Sequence, residues 1–244
     1  MKLRILGCGD AFGSGGRNQS GYLVETHDRL FLLDCGPTTL LAMKRAGIAP
    51  QRLDAIFLSH LHGDHFGGVP FFLIEFLYRK PPERPLTIAG PPGTEDRVLQ
   101  IFNLMYGSGK NPEETPWLHF QVLTPEIRQS VNGIDVLPFR VPHQTHDVSL
   151  GLKVSYQGKQ ILFSGDSAWT ELFIEHAPGV DLFLCECSFF DEQPGTHVNY
   201  RVLQSNLPRL KCKKIVLTHL GEDMLSRSRE LAETVAEDGL VLEI

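Results

Sequence analysis

Residues 55–68 read Ala55-Ile56-Phe57-Leu58-Ser59-His60-Leu61-His62-Gly63-Asp64-His65-Phe66-Gly67-Gly68. Ala55 to Leu58 is a short apolar run of the kind that forms a buried strand, and it leads directly into the densest group of metal-capable side chains in the chain. Four of them, His60, His62, Asp64 and His65, fall within six residues. A strand that stops and turns can aim His60 and His62 to one side, and a flexible Gly63 lets Asp64 and His65 swing back beside them. Gly67-Gly68 then release the chain into a helix, expected over Val69 to Tyr78 with Pro70 in its first turn.

Working outward, three other apolar runs end in a ligand type. Ile161-Leu162-Phe163-Ser164 runs into Gly165-Asp166, Ile215-Val216-Leu217-Thr218 into His219, and Phe139-Arg140-Val141-Pro142 into His143. Residues just past buried strands are the usual place for a site on an α/β scaffold. Further strands are expected over Lys2 to Leu6, Tyr22 to Thr26, Leu30 to Leu33, Leu86 to Ala89, His119 to Leu123, Ile134 to Val141, Leu150 to Tyr156, Gln160 to Phe163, Leu182 to Cys185 and Leu240 to Ile244. Helices are expected over Thr38 to Ala46, Thr94 to Met105, Tyr200 to Leu207 and Arg227 to Ala236. No stretch reads as an interdomain linker, so residues 1–244 form one domain with two sheets and helices outside both.

The 244 residues are 42% hydrophobic and 21% charged, an ordinary globular balance that excludes disorder and fibrous repeats. No window approaches a membrane span and the start lacks the layout of a signal peptide, so a cytoplasmic protein is expected. The five cysteines, without C-x-x-C spacing, read as buried thiols and take no metal role. Gly7-Cys8-Gly9-Asp10 fails the dinucleotide pattern because no helical period follows, and reads as a turn near the site. A net charge of −6 disfavours polyanionic partners, although two of the carboxylates counted, Asp64 and Asp166, are ligand candidates.

Taken in order, the H-x-H-x-D-H stretch at 60–65, His143, Gly165-Asp166 and Thr218-His219 resemble the motifs of the metallo-β-lactamase-fold hydrolases. Leu32-Leu33-Asp34-Cys35-Gly36 stands where that superfamily has an early Asp-x-Gly turn, so the resemblance covers nearly the whole chain. It implies an α/β (α+β) fold, a four-layer αβ/βα sandwich, with two divalent metal ions at one edge of the sheets. Zinc is the first expectation and manganese or iron the alternatives. His60, His62 and His143 would hold one ion, Asp64, His65 and His219 the other, and Asp166 would bridge. His146 competes with His143 for the third position, where Val141-Pro142-His143 at a strand end is the nearer match.

Within the superfamily, the chain resembles the branch of ribonuclease Z, small phosphodiesterases and arylsulfatase-like enzymes. Leu184-Cys185-Glu186-Cys187-Ser188 followed by Gly195-Thr196-His197 is similar to that branch's His-Glu-Ala-Thr stretch and later histidine loop. Cys185 and Cys187 depart from it. The resemblance implies a catalytic trio in which Asp64 orients a hydroxide shared by the metals and His197, positioned by Glu186, protonates the leaving oxygen.

The expected substrate is a small phosphodiester or related ester, with Phe66, Trp169, Phe189 and Phe190 as candidate pocket aromatics. Lactone, thioester or aryl sulfate hydrolysis on the same site is the alternative, as is a non-catalytic metal-binding regulatory module. Only 22 residues separate His143 from Asp166, too few for the tRNA-gripping arm of long ribonuclease Z enzymes, and basic residues are dispersed. Nucleic acid and membrane are therefore not expected as partners, and self-association as a homodimer is compatible with this reading. The loop Gly107 to Pro116 is a candidate lid or a plain surface connection.

Overall fold

A computed structural model describes residues 1–107, 109–191 and 195–244. The chain opens with β1 (Lys2–Gly7), β2 (Gly21–Glu25) and β3 (Leu30–Leu33), an antiparallel meander, followed by α1 (Thr39–Arg45) and β4 (Ala55–Phe57). Next come α2 (Gly63–Phe66), α3 (Val69–Tyr78), β5 (Leu86–Gly90), α4 (Thr94–Tyr106) and β6 (Leu118–Val122). From β3 to β6 neighbouring strands are parallel. Strands covered by helices on one face and by a second sheet on the other have no solvent side, and Leu30–Leu33, Ala55–Phe57 and Leu86–Gly90 are buried at every position.

The second half repeats this plan. β7 (Gln129–Val131), β8 (Ile134–Arg140), β9 (Leu150–Tyr156) and β10 (Lys159–Phe163) form a meander, and its last turn, Gln157-Gly158, has positive φ at both residues as a type I′ hairpin requires. After it come α5 (Leu172–His176), β11 (Leu182–Glu186), α6 (Tyr200–Leu210), β12 (Ile215–Thr218), α7 (Glu222–Ser226), β13 (Thr234–Val235) and β14 (Val241–Glu243). The two seven-stranded sheets run β14-β1-β2-β3-β4-β5-β6 and β13-β12-β11-β10-β9-β8-β7.

Between the sheets lies one apolar layer that draws Tyr22, Phe31 and Phe57 from the first and Phe163, Leu184 and Val216 from the second. The rings of Tyr22 and Phe163 meet across it at 5.3 Å, and the Tyr22 hydroxyl bonds Thr218 Oγ1 at 2.7 Å. Met43, Phe72 and Phe102 of α1, α3 and α4 cover the outside of the first sheet. Phe173, Leu203 and Met224 of α5, α6 and α7 cover the second. These are the four layers of the αβ/βα sandwich.

One expected helix is absent. Arg227 to Ala236 instead forms a 3-10 turn at Ser228–Glu230 and then β13, which pairs in parallel with β12 while Ala236 N–H donates to the Leu217 carbonyl at 2.8 Å. A free edge at β12 rewards ladder bonds more than local propensity rewards a helix. No helix is long and apolar enough to cross a membrane among the described residues.

Gly67-Gly68 serve close approach rather than flexibility. Gly68 N–H donates to the Cys35 carbonyl at 2.8 Å, and a Cβ on Gly68 would overlap the Gly36 carbonyl oxygen. Both sides of that contact are backbone and cannot rotate away. Gly68→Ala is expected to lower unfolding stability by about 3 kcal/mol, at the upper end of overpacking costs. A denaturant midpoint within error of the wild type would refute the steric reading.

Candidate metal centre

The carboxyl ends of the parallel strands in both sheets open on the same end of the sandwich. Asp34 follows β3, Ser59 and His60 follow β4, Asp166 follows β10, Glu186 ends β11 and His219 follows β12, with His143 arriving after β8. Asp34, Gly165 and His219 have left-handed φ values of 56°, 57° and 56°, which turn the chain sharply at these strand ends. Gly63 needs no such freedom: it begins α2, and this single turn, not a hinge, carries Asp64 and His65 back to the strand end.

Seven side chains from these ends form two overlapping groups, His60, His62, His143 and Asp166, and Asp64, His65, Asp166 and His219, each offering ligand atoms within 4.8 Å of one another. His62 Nδ1 lies 3.0 Å from His60 Nε2 and 3.1 Å from His143 Nε2. Asp166 Oδ2 is 3.2 Å from His65 Nε2, 3.4 Å from His219 Nε2 and 3.9 Å from both His60 Nε2 and His143 Nε2. Asp64 Oδ2 is 3.1 Å from His65 Nε2 and 3.3 Å from His219 Nε2. His146 is exposed and stays outside both groups.

The outer nitrogens of four imidazoles are occupied. His65 Nδ1 meets Asp34 Oδ2 at 2.7 Å, His60 Nδ1 meets Ser59 Oγ at 3.0 Å, His143 Nδ1 meets the Thr196 carbonyl at 3.1 Å and His219 Nδ1 meets Ser188 Oγ at 3.1 Å. His60 and His143, donating outward through Nδ1, turn bare Nε2 lone pairs toward His62 Nδ1 at 3.0 and 3.1 Å, where a single His62 proton cannot serve both and a cation could take all three lone pairs. Asp166 Oδ1 is buried without a hydrogen-bond partner, and His65 Nε2, 3.1 and 3.2 Å from two carboxylate oxygens, makes no well-aligned hydrogen bond to either. This donor set fits metal binding and fits ordinary core hydrogen bonding poorly.

Proton affinities follow the same division. Burial pulls His60, His62 and His143 below the usual histidine range, so they are neutral at pH 7. Burial also opposes the charged forms of His65 and His219, but the neighbouring carboxylates, Asp166 foremost, outweigh it and hold both imidazoles above that range. Burial works against ionised Asp64 and Asp166, and the imidazolium charges beside them keep both carboxyls well below theirs.

Asp34 is the hub that the sequence pattern leaves without a role. Fully buried, it accepts from Ser59 N–H at 2.7 Å, Ser59 Oγ at 2.8 Å and His65 Nδ1, and so braces His65 directly and His60 through Ser59. Asp34→Asn tolerates the left-handed backbone but replaces an acceptor by a donor facing Ser59 and His65. Zinc affinity is expected to fall about 10- to 100-fold. Unchanged affinity in a chelator competition would remove Asp34 from the support of the site.

Beside the cluster, Glu186 Oε1 accepts from His197 Nδ1 at 3.0 Å and from Ser167 N–H at 2.6 Å. Burial would lower His197, but the hydrogen bond and charge of Glu186 push it up to about 9. A cavity of about 750 Å³ opens over His62, Asp64, His143, Asp166, His197 and His219, walled by residues 10–16, Phe189 and Glu222. Of the four candidate pocket aromatics only Phe189 lines it. Phe66 and Phe190 are core residues and Trp169 packs on Phe173, each drawn inward by neighbouring helices. Phe12, 93% exposed on the cavity rim, carried no sequence signal beyond its place after Gly7-Cys8-Gly9-Asp10. In the candidate lid Gly107 to Pro116, Ser108 lies outside the described residues, and Lys110 is tied to the Leu77 carbonyl.

A family model described as Anti-Pycsar protein Apyc1 matches residues 1–238. The chain belongs to this family. Ribonuclease Z of Methanosarcina mazei is 28% identical to this family member over all of the chain and 98% of the relative. The probable metallo-hydrolase YhfI of Bacillus subtilis is 26% identical over 90% of the chain and 87% of the relative. Among solved structures, the metallo-β-lactamase fold protein YhfI superposes with a TM-score of 0.80 (20% identity, 99% of each chain). Human tRNase Z, short form, superposes with 0.81 (23%, 100% of this chain and 99% of that one). Zinc-bound PqqB of Methylobacterium extorquens superposes with 0.79 (18%, 100% of each). The chain is thus a metal-dependent hydrolase of the metallo-β-lactamase fold.

One expectation is overturned. Net charge and the short His143–Asp166 segment argue against nucleic acid as a partner, yet relatives aligned along the entire chain are named ribonuclease Z. Charge summed over a chain does not describe the field inside its cavity, and two of the carboxylates counted belong to the cluster.

Proposed function

We propose that this family member hydrolyses phosphodiesters, small ones in the first instance, at two divalent ions. His60, His62, His143 and Asp166 would hold one and Asp64, His65, Asp166 and His219 the other. The reading is carried by the two four-residue groups sharing Asp166. Such a pair of ions, when bound, lowers the pKa of water toward neutrality and offsets charge growing on phosphoryl oxygens. A nitrogen-rich set favours zinc, and zinc-bound PqqB supports that choice.

The remaining steps belong to the chain's own groups. Asp64, held through Oδ2 by His65 and His219, orients the attacking water. Glu186 fixes the His197 ring by Nδ1, and His197, protonated at neutral pH, gives its proton to the leaving oxygen. Phe12 and Phe189 offer apolar surface to the substrate's organic group. A cytoplasmic setting belongs to the same proposal and is supported by five free cysteines.

Because His65 and His219 carry protons that a metal would displace, zinc binding at pH 7 is expected to release about two protons. Calorimetry in buffers of different ionisation enthalpy reads that number, and a value near zero would contradict the ligand set. The activity itself is tested by loading the protein with zinc or manganese. Bis-aryl phosphodiester, RNA transcript, aryl sulfate, lactone and thioester substrates are then compared. Turnover of phosphodiesters well above the other esters supports the proposal. Preference for lactone or thioester, or full metal content without any turnover, overturns it. RNA is a second reading, favoured by the full-length relatives named ribonuclease Z.

A further inference from the structure

Ser188 sits between two parts of the site that have so far been described separately. Its side chain is buried at the cavity wall, two residues beyond the end of β11, and its Oγ lies 3.1 Å from His219 Nδ1, 3.1 Å from Glu186 Oε2, 3.0 Å from the His219 carbonyl and 3.4 Å from His197 Nδ1. A hydroxyl has one proton to give and two lone pairs to receive with. His219 turns Nε2 toward Asp64 and Asp166, where an ion would take the place of its proton, so Nδ1 keeps a hydrogen in either state and Ser188 Oγ is its acceptor. The serine proton then has two takers, the His219 carbonyl and Glu186 Oε2. The carboxyl is almost fully buried and already accepts from His197 and Ser167 through Oε1, and leaving its second oxygen bare costs more than leaving a carbonyl with one bond fewer.

We propose that Ser188 is a positioning residue that joins His219 to Glu186 in a single hydrogen-bond chain, so that the imidazole offered to the second ion and the carboxylate that orients His197 are set by the same hydroxyl. The chain runs His219 Nδ1–H to Ser188 Oγ, Ser188 O–H to Glu186 Oε2, and His197 Nδ1–H to Glu186 Oε1. The His197 and His219 rings lie nearly parallel, at 11° with centroids 5.6 Å apart, on either side of this hydroxyl's contacts. Without the hydroxyl, His219 Nδ1 loses its acceptor and the ring is free to swing or to move its proton to the metal-facing nitrogen. Glu186 Oε2 loses its donor at the same time.

This inference rests on the metal-site reading above, and its test separates the two. Zinc stoichiometry and affinity are measured by chelator competition on wild type, Ser188→Ala and Ser188→Thr, with histidine ¹⁵N spectra of the zinc-loaded proteins alongside. Wild type is expected to take up two equivalents. In Ser188→Ala one of the two binds about 10- to 100-fold more weakly. The other is unchanged, and the Nδ1–H signals of His219 and His197 both shift or exchange faster. Ser188→Thr, which keeps the hydroxyl, restores affinity to within a few-fold. If the alanine form does not fold, Ser188→Cys, close in size with a weaker donor and acceptor, reads the same quantities in the same direction. Equal affinity for both equivalents in the alanine form, with unmoved imidazole signals, overturns the role of Ser188. Failure of the wild type to bind zinc overturns the site reading instead.

Discussion

His60→Ala is expected to purify without its full metal complement and to lose hydrolytic activity together with it. His60 is fully buried, supplies Nε2 to the group that contains His62, His143 and Asp166, and is braced from behind by Ser59. An alanine leaves two nitrogens and the carboxylate shared with the other group, so a four-ligand set becomes a three-ligand one and its affinity falls. The fall should far exceed the roughly 10- to 100-fold cost of losing an outer partner such as Asp34. A stability control follows from linkage. Free zinc at 100 times its dissociation constant stabilises a folded protein by about 2.7 kcal/mol. Wild type should show a zinc-dependent rise in melting temperature that is smaller in His60→Ala, which keeps only the Asp64, His65, Asp166 and His219 group, with each rise read against the same protein without metal. Two zinc equivalents and near-normal turnover in the variant would remove His60 from the ligand set.

His197→Ala is expected to separate chemistry from metal binding. His197 belongs to neither four-residue group, and its Nδ1 is engaged by Glu186. Metal content should stay at the wild-type level while kcat falls by about 10²- to 10⁴-fold, the usual contribution of a general acid. An acid matters only when the departing oxygen needs a proton. The loss should therefore be large for alkoxide leaving groups and small for nitrophenolate. The pH profile gives an independent sign. With its pKa pushed up to about 9, the ring is protonated below that pH and bare above it. Wild-type kcat for a poor leaving group should then decline as pH rises through about 9, and the alanine variant should lack that limb. Equal losses for both kinds of leaving group would make His197 a structural residue.

The most legible part of the site was the part closest together in sequence. His60, His62, Asp64 and His65 fall on a strand end and one helical turn, so local geometry alone brings them to one side. Asp166, His219 and His143 were legible as a pattern, one ligand type after each apolar strand, because the carboxyl ends of parallel strands share an edge. Between His143 and His146, both in the β8–β9 loop, the strand-end position favoured His143, and the fold brings His143 rather than His146 beside His60 and His62. The supporting residues left even less trace. Asp34 braces His65 across 31 residues and Ser188 reaches His219 across 31, and a serine or aspartate in a loop has no periodic signature. Pocket aromatics are hard to read for a related reason: Phe189 and Phe190 are neighbours, and which one faces the cavity depends on the Arg227 and Tyr200 side chains that hold Phe190 inward.

Among the elements, α3 and β9 have the limits that Pro70 and alternating apolar residues predict, because their local preference agrees with their burial. Residues 227–236 show the opposite case. Their composition favours a helix, but an open β12 edge converts the end of the segment to strand. By itself the sequence determined the layered α/β plan and the strand-end positions of the ligand types, which follow from hydrophobic period and short-range spacing, while the family of chemistry came from the likeness of those motifs to a known superfamily. The tertiary structure alone decided which imidazole nitrogens turn inward and which hydroxyls and carboxylates brace them. Those choices are made by hydrogen bonds between distant segments, which form only after the two sheets have closed on their shared core.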